Sequence, residues 1–204
     1  MQVALVRHPP VQIAPGVCYG RLDLELRAEA AADVARIVSD LRGGFAHVWT
    51  SPARRCLAVA QALASAPVVD ARLLELDFGA WEGMAWDIVP RAALGRWAAD
   101  PVGFAPPGGE SGAALLARVA SFHAALLAQG EDCVVVAHGG PLKLLAAMLR
   151  GEAPDLLAPA PALGSVSRMV AFRPAGGVAA RPRPDSPGPA GLPPIRGFSA
   201  RNPG

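Results

Sequence analysis

Lysine is almost absent from this 204-residue chain: Lys143 is the only one, so nearly all of the 19 basic residues are arginine. With 17 acidic residues the net charge is +2. So small an excess excludes the electrostatic footprint of a nucleic-acid binder or of a protein held on an anionic membrane. Cysteine is scarce too. Cys18, Cys56 and Cys133 form an odd, scattered set without CxxC spacing, which argues against a disulfide framework or a zinc site and leaves reduced thiols as the expectation. Long apolar runs are missing although 52% of the residues are hydrophobic. The longest, such as Cys133–Ala137 and Leu144–Leu149, are far too short to span a bilayer. The opening MQVALVRHPP has no basic segment ahead of an apolar stretch, so no secretory leader is expected and the cytoplasm is the expected location. No internal repeat is visible.

What is present is an alternation of strand and helix signals on a length that suits one catalytic domain. Gln2–Val6 reads as a short buried strand, ended by Arg7-His8-Pro9-Pro10 because proline cannot continue a ladder. A loop over Pro15–Leu26 precedes an Ala-rich helix from about Ala28 to Leu41, punctuated by Gly43-Gly44. Ala46–Thr50 is a second strand. Ser51-Pro52 then reads as N-cap and first position of a helix reaching Leu63, with Arg54 and Arg55 in its first turn. Pro67–Val69 is a third, short strand, and Leu73–Gly83 (LLELDFGAWEG) reads as irregular. Helical periodicity returns over Trp86–Ala98 and Ser111–Ala128. Asp132–Ala137 is the continuous apolar run of a buried parallel strand, ended by His138-Gly139-Gly140. Pro141 opens a helix to about Leu149, and Ser165–Phe172 is a last strand at a sheet edge.

The expected fold class is therefore α/β, a three-layer α/β/α sandwich with a mostly parallel central sheet over residues 1–173. Residues 174–204 are rich in proline, glycine and arginine and lose all periodicity. That tail is expected to be disordered, or extended where a partner's groove holds it.

In open α/β sheets, ligands bind beyond the carboxyl ends of the strands. Two strands end in histidine here, at His8 and His138, and a third ends in the turn that delivers Arg54 and Arg55. Two imidazoles and two or three guanidiniums around one point suit a tetrahedral dianion, because the planar fork of arginine pairs bidentately with phosphate oxygens. A proton donor for a leaving alkoxide is available from Glu75, Asp77 or Glu82.

Four motifs occur in a set order: Leu-Val-Arg-His at 5–8, Ser-Pro-x-x-Arg at 51–55, Leu-x-Glu-x-x-Phe-Gly-x-Trp-Glu-Gly at 73–83 and Val-x-His-Gly-Gly at 136–140. In this the chain resembles the histidine phosphatase superfamily, the phosphoglycerate mutase-like group, from about Val3 to Phe172. The resemblance implies a phosphoglycerate mutase-like fold and a phosphoryl-transfer enzyme that needs neither metal nor organic cofactor. It makes His8 the nucleophile, with Arg7, Arg55 and His138 holding the phosphoryl oxygens beside Gly139, and it selects Glu75 as the proton donor. Arg54, His47 and His123 receive no role, and Trp81 and Trp86 are assigned to core packing.

The stretch Ala14–Leu26 (APGVCYGRLDLEL) is most similar to the α-ribazole phosphatases, which act late in cobalamin assembly. That similarity implies α-ribazole 5'-phosphate as a small-molecule substrate, with Tyr19 stacking on a base, Gly20 in the site wall and Arg21 on phosphate or ribose. The interval between Gly83 and His138 is short for a mutase of the family. Two positions depart from the family pattern: Pro9 stands where a glycine is usual, and Ala14 replaces an asparagine. One backbone donor and one side-chain contact are therefore lost, so the first loop is expected to cradle phosphate differently. A broad sugar-phosphate or phosphoglycerate phosphatase or mutase, and a non-catalytic phosphate-sensing or partner-binding protein, are the alternative readings. A homodimer is compatible with the sequence but not specified by it.

Overall fold

The computed structural model describes residues 1–41 and 44–171; Arg42, Gly43, Phe172 and the tail expectation for 174–204 lie outside the described residues. Five strands form one sheet in the order β3-β2-β4-β1-β5. The strands are β1 (Gln2–Arg7), β2 (His47–Thr50), β3 (Val68–Val69), β4 (Cys133–Ala137) and β5 (Val166–Val170). All neighbours run parallel except β5, which closes the β1 edge antiparallel.

The helices are α1 (Ala30–Asp40), α2 (Arg54–Leu63), α3 (Arg91–Ala99), α4 (Gly112–Gln129) and α5 (Gly139–Arg150). Their placement follows from strand alternation: successive side chains point to opposite faces, and both faces of β1 and β4 are apolar. Val3, Leu5, Cys133, Val135 and Ala137 pack against α4 and α5, whereas Ala4, Val6, Val134 and Val136 pack against α1 and α2. This is why the two central strands read as unbroken apolar runs. Helix α4 has the length and composition of a membrane span, but Leu115, Val119, Phe122 and Leu126, spaced at helical intervals, are buried in the core. A separate cluster of Cys18, Trp81, Val89 and Ala93, with Phe78, Trp86, Trp97 and Phe104 against it, forms a cap over the carboxyl end of the sheet's loops.

Three helix starts differ from expectation. Ser51-Pro52 does not cap α2; the helix begins at Arg54 after an extended Ala53, which still leaves both arginines in its first turn. Trp86–Val89 is turn rather than helix, because Pro90 disfavours helical geometry in the residue before it, and α3 starts only at Arg91. Helix α5 begins two residues before Pro141, with His138 as its N-cap.

Candidate active site

The site grows out of the register between β1 and β4, where Arg7 pairs with Ala137. The next residues, His8 and His138, leave the two strand ends side by side, their rings 5.2 Å apart and edge to face. Strand β2 flanks β4 on its other side, so the turn after β2 brings Ser51 and Arg55 onto His138. His8, His138 and Arg55 are all nearly fully buried, at 2%, 1% and 1% exposure.

The protonation pattern follows from the partners. The Pro9 carbonyl can only accept, so His8 donates from Nδ1 to it at 2.7 Å, leaving the Nε2 lone pair without a proton. Pro9 thus lacks an N–H but keeps the carbonyl that fixes the His8 tautomer. Burial, reinforced by the charges of Arg55 and Arg7, outweighs the Pro9 contact and lowers the His8 pKa to about 3. His8 is therefore neutral through the physiological range.

His138 is neutral for similar reasons: burial first, then the charge of Arg55 and proximity to His8 and Arg7, hold its pKa well below the ordinary value. Arg55 Nε donates to Nδ1 at 3.2 Å, so the proton sits on Nε2 and is given to Ser51 Oγ at 2.8 Å. Both ring nitrogens of His138 are committed within the protein. Cys56 lies beneath it, its Sγ 3.6 Å from Nε2.

The arginines divide in the same way. Arg55 also donates from Nη1 to the Leu22 carbonyl at 2.8 Å and from Nη2 to the Gly20 carbonyl at 2.5 Å, and its guanidinium lies 5.6 Å over the Tyr19 ring. Arg7 donates only from Nη1, to the Pro161 carbonyl at 2.6 Å, and its buried Nε has no partner. Gly139 permits this approach, since a Cβ there would meet Arg7 Cζ at 3.1 Å.

Glu75 is the carboxylate that reaches this cluster. Its Oε2 accepts from the Gly140 N–H at 3.1 Å, in the first turn of α5, and its Oε1 accepts from its neighbour Leu76 at 2.9 Å. Its two competitors are occupied elsewhere. Glu82 accepts from the backbone N–H groups of Gly20, Arg21, Leu22 and Phe78 at 2.7–3.0 Å; burial pushes its pKa up, but these four donors together hold it below the usual range. Asp77 accepts from Gly79 at 2.8 Å in a local turn. Arg21 pairs with Glu110 at 3.4 Å and with Asp77 at 3.8 Å. Arg54 is exposed and ion-paired with Glu25.

Sequence reasoning missed Arg118. From α4 it donates to the carbonyls of Arg72, Leu74 and Glu75 at 2.5–3.0 Å and pairs with Glu110 at 2.7 Å, clamping the backbone that carries Glu75. Burial of Glu110 is outweighed by Arg118, which keeps that carboxyl low. The available signal was one arginine within the otherwise uncharged helix GAALLARVASFHAALLAQ. Among the described residues no group of three or more His, Cys, Asp or Glu side chains could hold a metal ion.

A neutral imidazole with a free Nε2, one under-used guanidinium and a carboxylate at a helix start meet at the carboxyl edge of an α/β sheet, where such folds bind their ligands. The chain belongs to the histidine phosphatase superfamily, branch 1, whose family model matches residues 3–178. It is similar to the α-ribazole phosphatase of Shigella flexneri (25% identity, TM-score 0.73, covering 82% of this chain and 89% of that one). It is also similar to a phosphoglycerate mutase of Thermus thermophilus (31% identity, TM-score 0.64, covering 82% and 92%). These neighbours make the fold phosphoglycerate mutase-like. A bifunctional protein of Mycobacterium tuberculosis is 38% identical over 113 residues, 51% of this chain. The chain spans about a third of the length of that curated relative, 31%.

Proposed function

We propose that the protein is a metal-independent phosphomonoesterase working through phosphohistidine on His8, with α-ribazole 5'-phosphate as its substrate in cobalamin assembly in the cytoplasm. The observation that supports the reading is the Nδ1–H of His8 held by Pro9, which leaves Nε2 neutral and without a proton. The Nε2 lone pair forms a bond to phosphorus while the ester P–O bond breaks and its electron pair leaves on oxygen, which takes the Glu75 proton. Arg7, through its free Nε and Nη2, and Arg55, through the two of its five donors still uncommitted, neutralise the equatorial oxygens. His138 joins them by turning its Nε2–H from Ser51 to phosphate. Ionised Glu75 then takes a proton from water, the water oxygen bonds to phosphorus, and the N–P electron pair returns to His8, releasing phosphate.

The similarity of Ala14–Leu26 to the α-ribazole enzymes and the Shigella neighbour support the substrate. A phosphoglycerate phosphatase or mutase is the second reading, favoured by the 31% identity to the Thermus enzyme. Turnover of α-ribazole 5'-phosphate against 3-phosphoglycerate, with EDTA present, decides: a clear preference for the first supports the assignment, and an equal or lower rate on it removes the assignment. Abolition of turnover by chelator contradicts the metal-free mechanism.

A further inference from the structure

Three consecutive N–H groups, those of Gly20, Arg21 and Leu22, converge on the Glu82 carboxylate at 3.0, 2.8 and 2.7 Å, the concave donor set that backbone offers to an anion. No backbone carbonyl of the described residues competes for them. The carbonyl side of the same loop goes to Arg55, whose Nη2 donates to Gly20 at 2.5 Å and Nη1 to Leu22 at 2.8 Å. One peptide unit serves both partners: the N–H of the Gly20–Arg21 peptide meets Glu82 and its C=O meets Arg55. Because a peptide unit is planar and trans, a carboxylate that fixes its N–H also fixes where its carbonyl points. Gly20 permits the close seating, since a Cβ there would stand 1.9 Å from the Leu76 carbonyl oxygen. Glu82 is anchored in turn by the Phe78 N–H at 3.0 Å. Burial raises its pKa, but the four N–H groups together hold it below the usual carboxylate range, so it is ionised. At the far end of the loop Asp23 Oδ1 accepts the Arg54 N–H at 2.8 Å, which docks the loop on the first turn of α2.

We propose that Glu82 is a positioning residue for the phosphoryl site, acting through the Gly20–Leu22 backbone on the guanidinium of Arg55. The proposal rests on the reading of Arg55 as a contact to the phosphoryl oxygens. Of the five N–H donors of an arginine, two are aimed by this loop and a third, on Nε, reaches His138 Nδ1 at 3.2 Å. The guanidinium is a rigid planar fork, so the two donors left for phosphate take their direction from those three. A slack loop swings them off the equatorial oxygens and loosens the contact that keeps the His138 proton on Nε2; a misplacement of about 1 Å costs about 10²-fold in rate. The bonds of the Glu82 carboxylate all go to backbone N–H groups, so it meets the reacting groups only through the chain. Its charge is of the same sign as phosphate, and Coulomb repulsion alone would make its removal strengthen anion binding. Positioning predicts the opposite sign.

The test is a double-mutant cycle on p-nitrophenyl phosphate with four chains: wild type, Glu82→Gln, Arg55→Ala and the pair, each with its Tm. Glu82→Gln keeps the shape but offers one accepting oxygen in place of two and turns an amide NH2 on the loop. It is expected to lower kcat/KM about 30-fold, mainly through a raised KM, and to weaken vanadate binding in calorimetry about tenfold although a negative charge has gone. Arg55→Ala alone is expected to cost about 10²–10³-fold. Adding Glu82→Gln to it is expected to cost no more than about twofold further, because residues that act through one contact do not add. A Glu82→Gln loss that persists in full in the Arg55→Ala background overturns the proposal. So does a lowered Tm with kcat/KM and vanadate affinity unmoved, the mark of a purely structural role. An Arg55→Ala chain as active as wild type removes the reading of Arg55 on which the proposal rests, while a His8-dependent phosphatase stands. Where Glu82→Gln is too unstable to assay, Glu82→Asp, which keeps the charge on a shorter side chain, runs the same cycle with the same outcomes. In a chain that does not turn over the aryl ester, the vanadate affinities decide by the same comparison.

Discussion

His8 and His138 are the same residue at the ends of adjacent parallel strands, both almost wholly buried and both neutral, yet their surroundings divide the work between them. His8 has one nitrogen held by a carbonyl and one free. His138 has one nitrogen receiving from Arg55 and the other giving to Ser51. The difference arises from position in the sheet: β1 is flanked on its far side by β5, whereas β4 lies against β2, whose following turn supplies Ser51 and Arg55. Identical side chains on one sheet edge are therefore set apart by which strand stands next to them. In the proposed reaction the free nitrogen belongs to the attacking group and the committed ring to the frame.

The sharpest way to break that contrast is to delete each ring. His8→Ala is expected to lower kcat/KM on an aryl phosphate by about 10⁴-fold or more, as loss of a nucleophile does. His138→Ala is expected to cost about 10²–10³-fold, the scale of one lost transition-state donor. Equal losses would erase the distinction. The frame extends to Glu75 through Arg118, and Arg118→Ala breaks a mostly buried ion pair with Glu110. It should reduce stability in urea by about 3 kcal/mol and reduce kcat about 10²-fold; an unchanged kcat would mean that Glu75 is placed by something else. Gly140→Ala probes the same carboxyl gently, since its Cβ would stand 2.2 Å from Glu75 Oε1, the movable end of a side chain. Here kcat should fall about tenfold with Tm shifted by only a few degrees.

The committed state of His138 has its own signature. Ser51→Ala leaves a buried donor without its acceptor, at a cost of about 1–3 kcal/mol, and vanadate should restore most of that stability by taking the freed Nε2–H. Thermal denaturation with and without vanadate reads both halves; a stability loss that vanadate leaves in place contradicts the mobile role of that proton. The free state of His8 shows in acid. Its folded pKa, about 3, lies below the ordinary 6.5, so below pH 6.5 the unfolded chain takes up a proton that the folded chain refuses. Stability should fall progressively between about pH 6.5 and pH 3 by a few kcal/mol, and that loss should shrink in His8→Gln.

Much of this architecture was legible in the sequence because its cause is local. Unbroken runs such as Val134–Val136 announce strands buried on both faces, and the Arg-His and His-Gly-Gly that end two such strands belong at the ligand-binding edge. The helix starts were less legible. Serine-proline at 51–52 has the chemistry of a cap, but the Ser51 hydroxyl answers to His138, 87 positions away. The clamps were not legible at all. Glu82 holding the N–H groups of Gly20, Arg21 and Leu22, Arg118 gathering three carbonyls and Pro161 meeting Arg7 are side-chain-to-backbone contacts across long stretches of chain, and backbone groups leave no mark in the amino-acid order. Pro9 shows the converse: its departure from the family pattern removes a donor, while the carbonyl that fixes His8 is present in every residue type.

The most direct measurement is to trap the intermediate. Rapid alkaline quenching during turnover of a phosphate monoester, followed by peptide mapping, should find an acid-labile phosphoryl group on His8, absent from His8→Ala and still formed, more slowly, in His138→Ala. Phosphate found on His138, or turnover with no phosphorylated protein at any time, would contradict the division of labour between the two histidines.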